Sequence, residues 1–278
     1  MHSTPLLSIV IPTHNRPDIL HACLEHIENQ TAADQLEVIV VNDGKHIGVS
    51  DGNVRELLVS PCHQGTARNK GVAKAYGKHV LFLGDDIFLE TDACEMHLDA
   101  LETRFADLHF AVLGFTTWDP ACGITSTMKW LEKSGWQFGY PMIHRHAHNF
   151  LPSHTQHRFT YTSHISLPRR IAAKFPFRED VTLYGWEDIE WGLRLKNRGV
   201  KILYEPHAVG LHHHHITLKD SLKRMEILGR SAVMMEKLVP ELTVVPRGRK
   251  RMTYTIAATL PGMRGKHAKM FLKGLRKM

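Results

Sequence analysis

The first part of the chain alternates short apolar runs with segments whose apolar residues repeat at helical spacing. Apolar runs of roughly four to eight residues are typical of strands buried on both faces. Such strands alternating with amphipathic helices indicate a Rossmann-like, mostly parallel sheet with helices on both faces. The pattern predicts strands at 7–11, 38–41, 57–59 and 80–83, and helices at 17–29, 66–76 and 92–105.

The middle of the chain, residues 116–157, has no such alternation. It is rich in His, Trp, Gly and Pro, which predicts loops and short helices lying over the sheet. Order returns at 159–169. Beyond it the pattern predicts a helix at 186–196, a strand at 200–204 and a long helix at 218–238.

Polar side chains follow the predicted strands at their carboxyl ends, where open α/β sheets bind ligands. Adjacent carboxylates repel, and burying one without a partner is costly, so we expect a cation beside Asp85 and Asp86. No GxGxxG follows the first strand, which argues against a dinucleotide cofactor held by that fingerprint. The candidates that could converge on one ligand are Thr13, Asn15, Arg16, Asp43, Asp85 and Asp86.

Composition is that of an ordinary globular protein, with 43% apolar and 23% charged residues. The net charge of +7 arises in residues 242–278, which hold ten Lys or Arg and no acid, while the rest has 25 basic and 28 acidic residues. The main domain is therefore not basic overall, and we expect no nucleic-acid partner.

The four cysteines have no CxxC spacing, which argues against a zinc ribbon or a disulfide framework. No apolar run approaches the ~18 to 20 residues of a membrane span, and the start MHSTPLLSIVIPT lacks a signal-peptide pattern. These features predict a cytoplasmic protein.

A second acidic cluster lies in the segment GWEDIEWGLRLKNRG, at the start of the helix predicted at 186–196. The dipole and free N–H groups of a helix start favour negative charge, which is one explanation for the cluster. The flanking Trp186 and Trp191 are not required by a helix cap, and they favour a binding or catalytic site. The acids are Glu187, Asp188 and Glu190.

Four segments, taken in order, resemble family-2 glycosyltransferases of the GT-A fold over about the first 215 residues. They are SIVIPTHNRPD, VIVVNDG, GTARNKG followed by VLFLGDD, and GWEDIEWGLRLKNRG with its downstream histidines. The resemblance implies a GT-A domain over residues 1–241, with a nucleotide-binding half at 1–115 and an acceptor and catalytic half at 116–241. It also implies metal-dependent, inverting sugar transfer from a nucleoside-diphosphate sugar to a glycan or lipid-linked hydroxyl.

The resemblance aligns Gly84, Asp85 and Asp86 with a DxD motif that holds a divalent metal on the donor diphosphate. Asp86 is then the expected ligand of Mn²⁺ or Mg²⁺, ions that commonly bind carboxylates and substrate phosphates together. Glycine replaces the first carboxylate, which affects the expected ribose contacts and lets the backbone approach the ligand closely. His212, beyond a strand after the acidic helix, matches the histidine that completes the metal site.

The same alignment assigns donor contacts. Pro12, Thr13 and Arg16 match the loop that closes over the base and ribose. Asp43 matches a carboxylate facing the base, where it can accept from the imide N–H of uracil or thymine; an Asx turn is the alternative. Arg68 matches a cation near the phosphates, and an exposed helix charge is its alternative.

The acidic segment aligns with the catalytic base. Asp188 takes that position, from which a carboxylate can remove the proton of an acceptor hydroxyl. Glu187 is expected to bind the acceptor, and Trp186 to stack on a sugar or to pack in the core. His164, where the family usually has Asn, lies in a segment expected near donor sugar and acceptor, with an ordinary strand as the alternative.

Two histidine-rich tracts remain. In the run from His212 to His215, alternate members of an extended segment face opposite sides, so at most alternate ones could reach one ion. His144, His146 and His148 form a second tract. Such tracts can bind zinc, but no Cys or carboxylate spacing in the sequence supports a dedicated site.

The tail at 242–278 is predicted to be a helical basic extension. Its apolar positions fall at helical spacing and its bases largely elsewhere, which suits a helix on an anionic membrane surface, as in cell-envelope polysaccharide synthesis. A solvated basic end is the alternative. For the whole protein, the alternative function is a catalytically inactive GT-A protein that binds a nucleotide or glycan. The apolar positions are Ala268, Phe271, Leu272 and Leu275.

Overall fold

A mixed sheet of nine strands runs through the computed structural model, which describes residues 4–104, 109–182 and 185–276. The strand order is β3-β2-β1-β4-β8-β6-β9-β5. Strand β7 lies outside this order and pairs with β9. The strands are β1 Leu7–Thr13, β2 Leu36–Asn42, β3 Val54–Leu58, β4 His79–Leu83, β5 Ile87–Leu89, β6 Phe110–Trp118, β7 Asn149–Phe150, β8 His164–Pro168 and β9 Lys201–His212.

Pairing is parallel throughout the first half of the sheet, from β3 to β4. In the second half β8 runs antiparallel to both β4 and β6, and β5 and β7 run antiparallel to β9. Only β6 and β9 pair parallel there. The predicted α/β class is confirmed, and most of the parallel pairing lies among β1, β2, β3 and β4.

Helices cover both faces of this sheet. The predicted helix at 66–76 begins two residues earlier, and the one at 92–105 divides into α3 and a π-helical turn, Ala100–Arg104, with Phe105 outside the described residues. The helices are α1 Pro17–Glu28, α2 Gln64–Lys74, α3 Ala93–Asp99, α4 Ser126–Ser134, α5 Tyr140–Ile143, α6 Arg169–Lys174, α7 Glu187–Asn197, α8 Leu218–Leu238, α9 Gly248–Ala257 and α10 Met263–Gly274.

The apolar side chains of β1 belong to two hydrophobic cores, one on each face of the sheet. Ile9 and Ile11 pack with α1 residues such as Leu20 on one face, while Val10 packs on the other face against residues such as Val72 of α2. Alternation of side chains along a strand produces this division. Because both faces are covered, the strand reads as continuously apolar, and its carboxyl end is fixed where Thr13 leaves the sheet.

The start of α7 is held by one buried tryptophan. Trp191 is fully buried, stacks on Phe177 with ring centres 4.7 Å apart, and donates its indole N–H to the Phe175 carbonyl at 2.7 Å. One buried donor thus finds an acceptor while its ring fills the core. These contacts fix the helix whose first turn carries Glu187 and Asp188.

The C-terminal helix α10 packs on α8 of the same chain. A Cβ at Gly229 would lie 2.2 Å from the Phe271 carbonyl oxygen, and one at Gly274 would lie 2.1 Å from the Glu226 carbonyl oxygen. The two backbones therefore cross at a distance that only glycine allows. This crossing buries Ala268, Phe271 and Leu272, so most of the apolar face predicted to lie on a membrane contacts the protein itself.

None of the helices in the described part of the chain has the length and hydropathy that crossing a bilayer would require.

Candidate active site

A cavity of about 1010 Å³ opens along the carboxyl ends of β1, β2 and β4 and extends to the start of α7. Its volume is at the upper end of the range that small-molecule sites usually have. It brings together nearly all of the residues predicted to form the site. Those lining it are Pro12, Thr13, Arg16, Asp43, Arg68, Asp85, Asp86, Trp186, Glu187, Asp188 and His212.

The cation expected beside the paired carboxylates is Arg16. Its guanidinium bonds both oxygens of Asp85 and donates through Nη1 to Asp86 Oδ2 at 3.0 Å. Thr13 adds a hydrogen bond of 2.7 Å to Asp85 Oδ2. Burial raises the pKa of Asp85, with Asp86 adding to the rise, while Arg16 and Thr13 oppose it. Asp85 thus acts mainly to orient Arg16.

Asp86 belongs to a second group, with two histidines. Its Oδ2 lies 3.7 Å from His212 Nε2 and 3.4 Å from His214 Nδ1. Burial would raise the pKa of Asp86, but the two histidines and Arg16 outweigh it and hold the pKa well below its usual range. His213 turns the other way and bonds Asp119 at 2.6 Å, as expected for alternate members of an extended run.

Gly84, which precedes Asp85 and Asp86, has little free space around it. A Cβ at Gly84 would lie 3.1 Å from Asp86 Oδ1 and 3.2 Å from Ile87 Cγ1. An acidic side chain at position 84 would therefore displace its neighbours, and Asp86 above all.

Asp43 is fixed at the far end of the cavity. One oxygen accepts the Cys62 backbone N–H at 3.0 Å, and the other lies 2.8 Å from His14 Nδ1. The turn after β2 is closed by Asn42, whose side chain accepts the Gly44 N–H at 2.8 Å. Asp43 itself is thus not the turn-forming residue, and its carboxylate lines the cavity.

Arg68 is a buried cation whose guanidinium is largely unpaired. Only 4% of the residue is exposed, and its Nε and Nη1 have no hydrogen-bond partner among the described residues, while Nη2 donates to Gln64 Oε1 at 3.3 Å. Burial lowers the pKa of Arg68, against the opposing charges of Glu187 and Asp188. An exposed helix charge would be solvated, so this alternative does not describe Arg68.

Asp188 and Glu187 lie at the cavity wall opposite Arg68. Burial raises the pKa of Asp188 to about 7, with Glu187 contributing and Arg68 opposing. Its Oδ1 accepts the Ile189 N–H at 3.1 Å, and its carbonyl accepts Thr160 Oγ1 at 2.7 Å. A carboxylate with a pKa near neutrality can take up a proton from a hydroxyl and release it later.

Glu190 and Trp186 are the remaining candidates in this segment, and of these two it is Trp186 that lines the cavity. Glu190 is buried and pairs with Arg194 at 2.7 Å, away from the cavity. Trp186 lines the cavity on one side and donates to Ser231 Oγ at 3.0 Å on the other. Both interpretations of Trp186, as wall and as packing residue, describe part of its environment.

The assignment of His164 to the acceptor site is corrected by its position. The side chain is completely buried within the sheet, near Gly114 of β6 and Gly210 of β9, and it does not line the cavity. Its Nδ1 lies 3.3 Å from Thr116 Oγ1, and burial lowers its pKa to about 4. The strand alternative applies, and His164 fills space that two glycines leave.

Several lining residues were not identified from the sequence. His14 lines the cavity and contacts Asp43. His214 is not among the lining residues but contacts Asp86, and only the alternation rule pointed to it. The irregular segment contributes a cationic and apolar wall, for which a loop sequence gives no geometric signal. Its members include Gln137, Phe138, Met142, Arg145, His154 and Arg158, with Arg224 from α8.

The chain is similar to known glycosyltransferases in sequence and in fold. Residues 8–121 match the family model described as "Glycosyl transferase family 2". A putative glycosyltransferase of Bacillus subtilis, EpsH, is 31% identical over 34% of this chain and 30% of its own length. The uncharacterized glycosyltransferase YibD of Escherichia coli is 33% identical over 42% of this chain and 38% of its own. The chain therefore matches well under half the length of either relative.

The fold has a solved counterpart in a mannosyltransferase, PcManGT, from Pyrobaculum calidifontis, in complex with GDP-Man and Mn²⁺. The TM-score is 0.56 at 15% identity, over 97% of this chain and 70% of the other. At that identity the likeness concerns the fold. Residues 8–121 are thus similar to glycosyl transferase family 2, and the architecture of the chain is that of the GT-A fold.

Proposed function

We propose that this protein is a metal-dependent, inverting glycosyltransferase that moves a sugar from a nucleoside-diphosphate sugar to an acceptor hydroxyl. The observation that carries the proposal is the convergence, in one cavity, of an unpaired buried guanidinium at Arg68 and a carboxylate of raised pKa at Asp188. The first is suited to a leaving diphosphate and the second to a nucleophilic hydroxyl.

Arg68 supports the diphosphate assignment on energetic grounds. A buried guanidinium with unpaired N–H groups is costly to the fold, and its planar donors match phosphate oxygens. Because Nε and Nη1 find no partner in the part of the chain that the structure describes, a diphosphate in the cavity would supply the missing acceptors. Negative charge that develops on the departing phosphate would be stabilised by the same group.

In the proposed reaction the acceptor oxygen attacks the anomeric carbon as the bond from that carbon to the diphosphate oxygen breaks. Asp188 takes the hydroxyl proton, and the nucleoside diphosphate leaves with the bonding electrons beside Arg68. Glu187 and Trp186 flank the base and would orient the acceptor. Because one displacement occurs, the anomeric configuration inverts.

The residues that would hold the divalent ion are Asp86, His212 and His214. The donor set of one carboxylate and two imidazoles, with His212 Nε2 and His214 Nδ1 near Asp86 Oδ2, fits a transition ion such as Mn²⁺ better than Mg²⁺, which prefers oxygen ligands. When bound, such an ion neutralises charge on the diphosphate. Arg16 also donates to Asp86 Oδ2. When an ion binds, Arg16 would therefore either move away or share that oxygen with the ion.

On the donor, Asp43 supports a base contact because the Cys62 N–H and His14 hold it toward the cavity. A carboxylate there accepts from the imide of uracil or thymine, so UDP or dTDP sugars are the proposed donors. Pro12 and Thr13 at the end of β1 form the neighbouring wall.

The acceptor wall supports an anionic acceptor, such as a phosphate-bearing lipid carrier or an acidic glycan. Between Gly135 and Arg158 the described lining includes Arg145, Arg158 and two histidines and no acidic residue, and Arg224 adds a further cation. The exposed Met142 and buried Phe159 give the wall apolar surface as well.

The proposed membrane contact uses a different face of the tail from the one predicted. Helix α9 and its end expose Met252, Ile256 and Leu260, at 59%, 56% and 53%, at intervals of four residues. The exposed bases Arg249 and Lys250 lie in the first turn of the same helix. This combination suits adsorption to an anionic lipid surface.

A screen of nucleotide-sugar hydrolysis with Mn²⁺, followed by calorimetry of the released nucleotide, tests the donor and the ion together. We expect nucleoside diphosphate binding to require the divalent ion and to be lost in Asp86→Ala. Equal affinity with a chelator present would contradict the metal assignment. Donor binding without hydrolysis or transfer would favour the alternative, an inactive binding protein.

A further inference from the structure

Outside the cavity, strand β9 has an irregularity that brings together residues far apart in sequence. Pairing with β6 passes from Gly114 opposite Glu205 to Phe115 opposite Val209, so β9 bulges between these points. Bulges re-aim side chains and are frequent near functional sites. Here the bulge carries His207, and Glu205 precedes it, beside His148 in the loop that leads into β7.

The three side chains are at metal-ligand spacing. Glu205 Oε1 lies 3.0 Å from His148 Nδ1 and 3.9 Å from His207 Nδ1. One ligand atom from each residue lies within 4.8 Å of the others. A tetrahedral zinc with bonds of about 2.0–2.2 Å separates its ligand atoms by about 3.3–3.6 Å, which falls between the two measured distances. Small ring movements would complete the geometry.

Two further features indicate that the arrangement is built into the fold. The Glu205 carboxylate is fully buried, and its Oε1 accepts the His207 backbone N–H at 3.1 Å, which fixes its orientation. His148 has a left-handed backbone with φ of 58°, a conformation that non-glycine residues adopt at a cost. Its backbone N–H is tied to the Tyr204 carbonyl at 2.8 Å.

We propose that His148, Glu205 and His207 form a second metal site, distinct from the Asp86 group, that binds Zn²⁺ with one coordination position open. Two imidazoles and a carboxylate are ligands that zinc commonly uses. The neighbouring histidines have other contacts: His144 Nδ1 lies 3.2 Å from the Tyr204 hydroxyl, and His146 Nε2 accepts from Arg145 at 3.2 Å.

The consequence of zinc binding would be mechanical. The segment 142–148 carries Met142, Arg145 and His146 at the cavity wall and ends at His148. A metal bridge from His148 to β9 would tie this wall to the strand that ends at His212. The site would thereby stabilise the acceptor side of the cavity without touching the reacting atoms.

The test is the zinc content of the full-length protein after equilibration with excess Zn²⁺ and removal of unbound metal. His207→Gln is expected to lose one equivalent relative to wild type, because the 69% exposed ring is the ligand easiest to remove without disturbing the fold. The matched control is His46→Gln, a ring of equal exposure that pairs with Glu56 at 3.4 Å, which should retain all equivalents.

His148→Asn is the second variant, since Asn tolerates the left-handed backbone. His148→Asn should lose one equivalent of zinc, the same one that His207→Gln loses. The double variant should therefore lack one equivalent and not two. Zinc content in His207→Gln and His148→Asn equal to that of His46→Gln and wild type would overturn the proposal.

Discussion

Arg16 and the two histidines of the Asp86 group approach the same carboxylate oxygen. Arg16 Nη1 donates to Asp86 Oδ2 at 3.0 Å, and His214 Nδ1 lies 3.4 Å from that atom. A divalent ion bound by Asp86 would therefore lie close to a guanidinium charge. Asp85 retains Arg16 through both of its oxygens, so the arginine can release Asp86 without leaving the site.

Arg16→Met should affect ion and nucleotide binding in opposite directions. Removal of a unit charge about 4 Å from a divalent ion is worth roughly 2 kcal/mol even in water, so Mn²⁺ alone should bind about thirtyfold more tightly. Affinity for UDP should fall, because a donor contact is lost. Mn²⁺ titration followed by electron paramagnetic resonance, with melting temperature as a control, checks both. Weaker binding of both ligands would contradict the shared-oxygen interpretation.

Asp188→Asn should separate binding from transfer. The amide keeps the shape and can still accept the Ile189 N–H, but it cannot take up the proton. Donor affinity should stay near that of wild type, while transfer falls roughly 10²–10⁴-fold. Glu187→Gln is the matched control, with a milder loss. A collapse in Glu187→Gln with a mild effect in Asp188→Asn would reassign the base, and full transfer in both would leave the acids as helix caps.

The raised pKa of Asp188 predicts a pH dependence. With the base protonated below about 7, kcat/KM should rise about tenfold per pH unit up to that value and then level off. Because the folded pKa exceeds the unfolded one, the native state holds a proton that the unfolded chain has released between pH 4 and 7. The free energy of unfolding should therefore fall as pH rises through this window.

Asp188→Asn removes that dependence. Melting temperatures at pH 5 and pH 8 should differ less in the variant than in wild type. A wild-type rate that is flat between pH 5.5 and 7, or an unchanged stability profile in the variant, would argue that Asp188 is ionised throughout.

Arg68→Met should lower nucleotide affinity without lowering stability. A buried guanidinium with unpaired Nε and Nη1 costs the fold energy that an apolar side chain of similar length does not. We expect a melting temperature equal to or above that of wild type and UDP binding weaker by at least about tenfold. Arg194→Met is the control: it breaks the paired Glu190 contact, so stability should fall and UDP affinity should stay unchanged.

The membrane surface can be tested without removing the tail. Deletion of residues 262–278 would strip α10 from α8 and expose the core, so it cannot isolate anchoring. The double variant Met252→Ser and Ile256→Ser should reduce binding to phosphatidylglycerol vesicles at least about tenfold. Leu58→Ser, exposed to a similar degree at 53% but far away in the sequence on β3, serves as the control. Equal vesicle binding by the two proteins would remove α9 from consideration.

Local pattern was sufficient to predict β1, β2, β4 and the polar residues that line the cavity at their carboxyl ends, because buried parallel strands read as apolar runs and end at one edge of the sheet. It could not predict contacts that depend on pairing across the sheet. His164 reads like a site residue, yet its burial is set by Gly114 and Gly210 on strands that are neighbours only after folding. The burial of Phe271 within the protein could not be predicted either, because an apolar helical face is suited to a membrane and to a partner helix alike.

The glycine crossing of α8 and α10 links the tail to the cavity. Gly229 and Gly274 hold the two backbones in van der Waals contact, and α8 also supplies Arg224 and Leu228 to the cavity wall. The tail is thus not a flexible tether. If it were attached to a membrane, the domain could not rotate freely. A protein adsorbed through α9 would meet the bilayer at one angle, with the mouth of its cavity at a set height above the lipid headgroups.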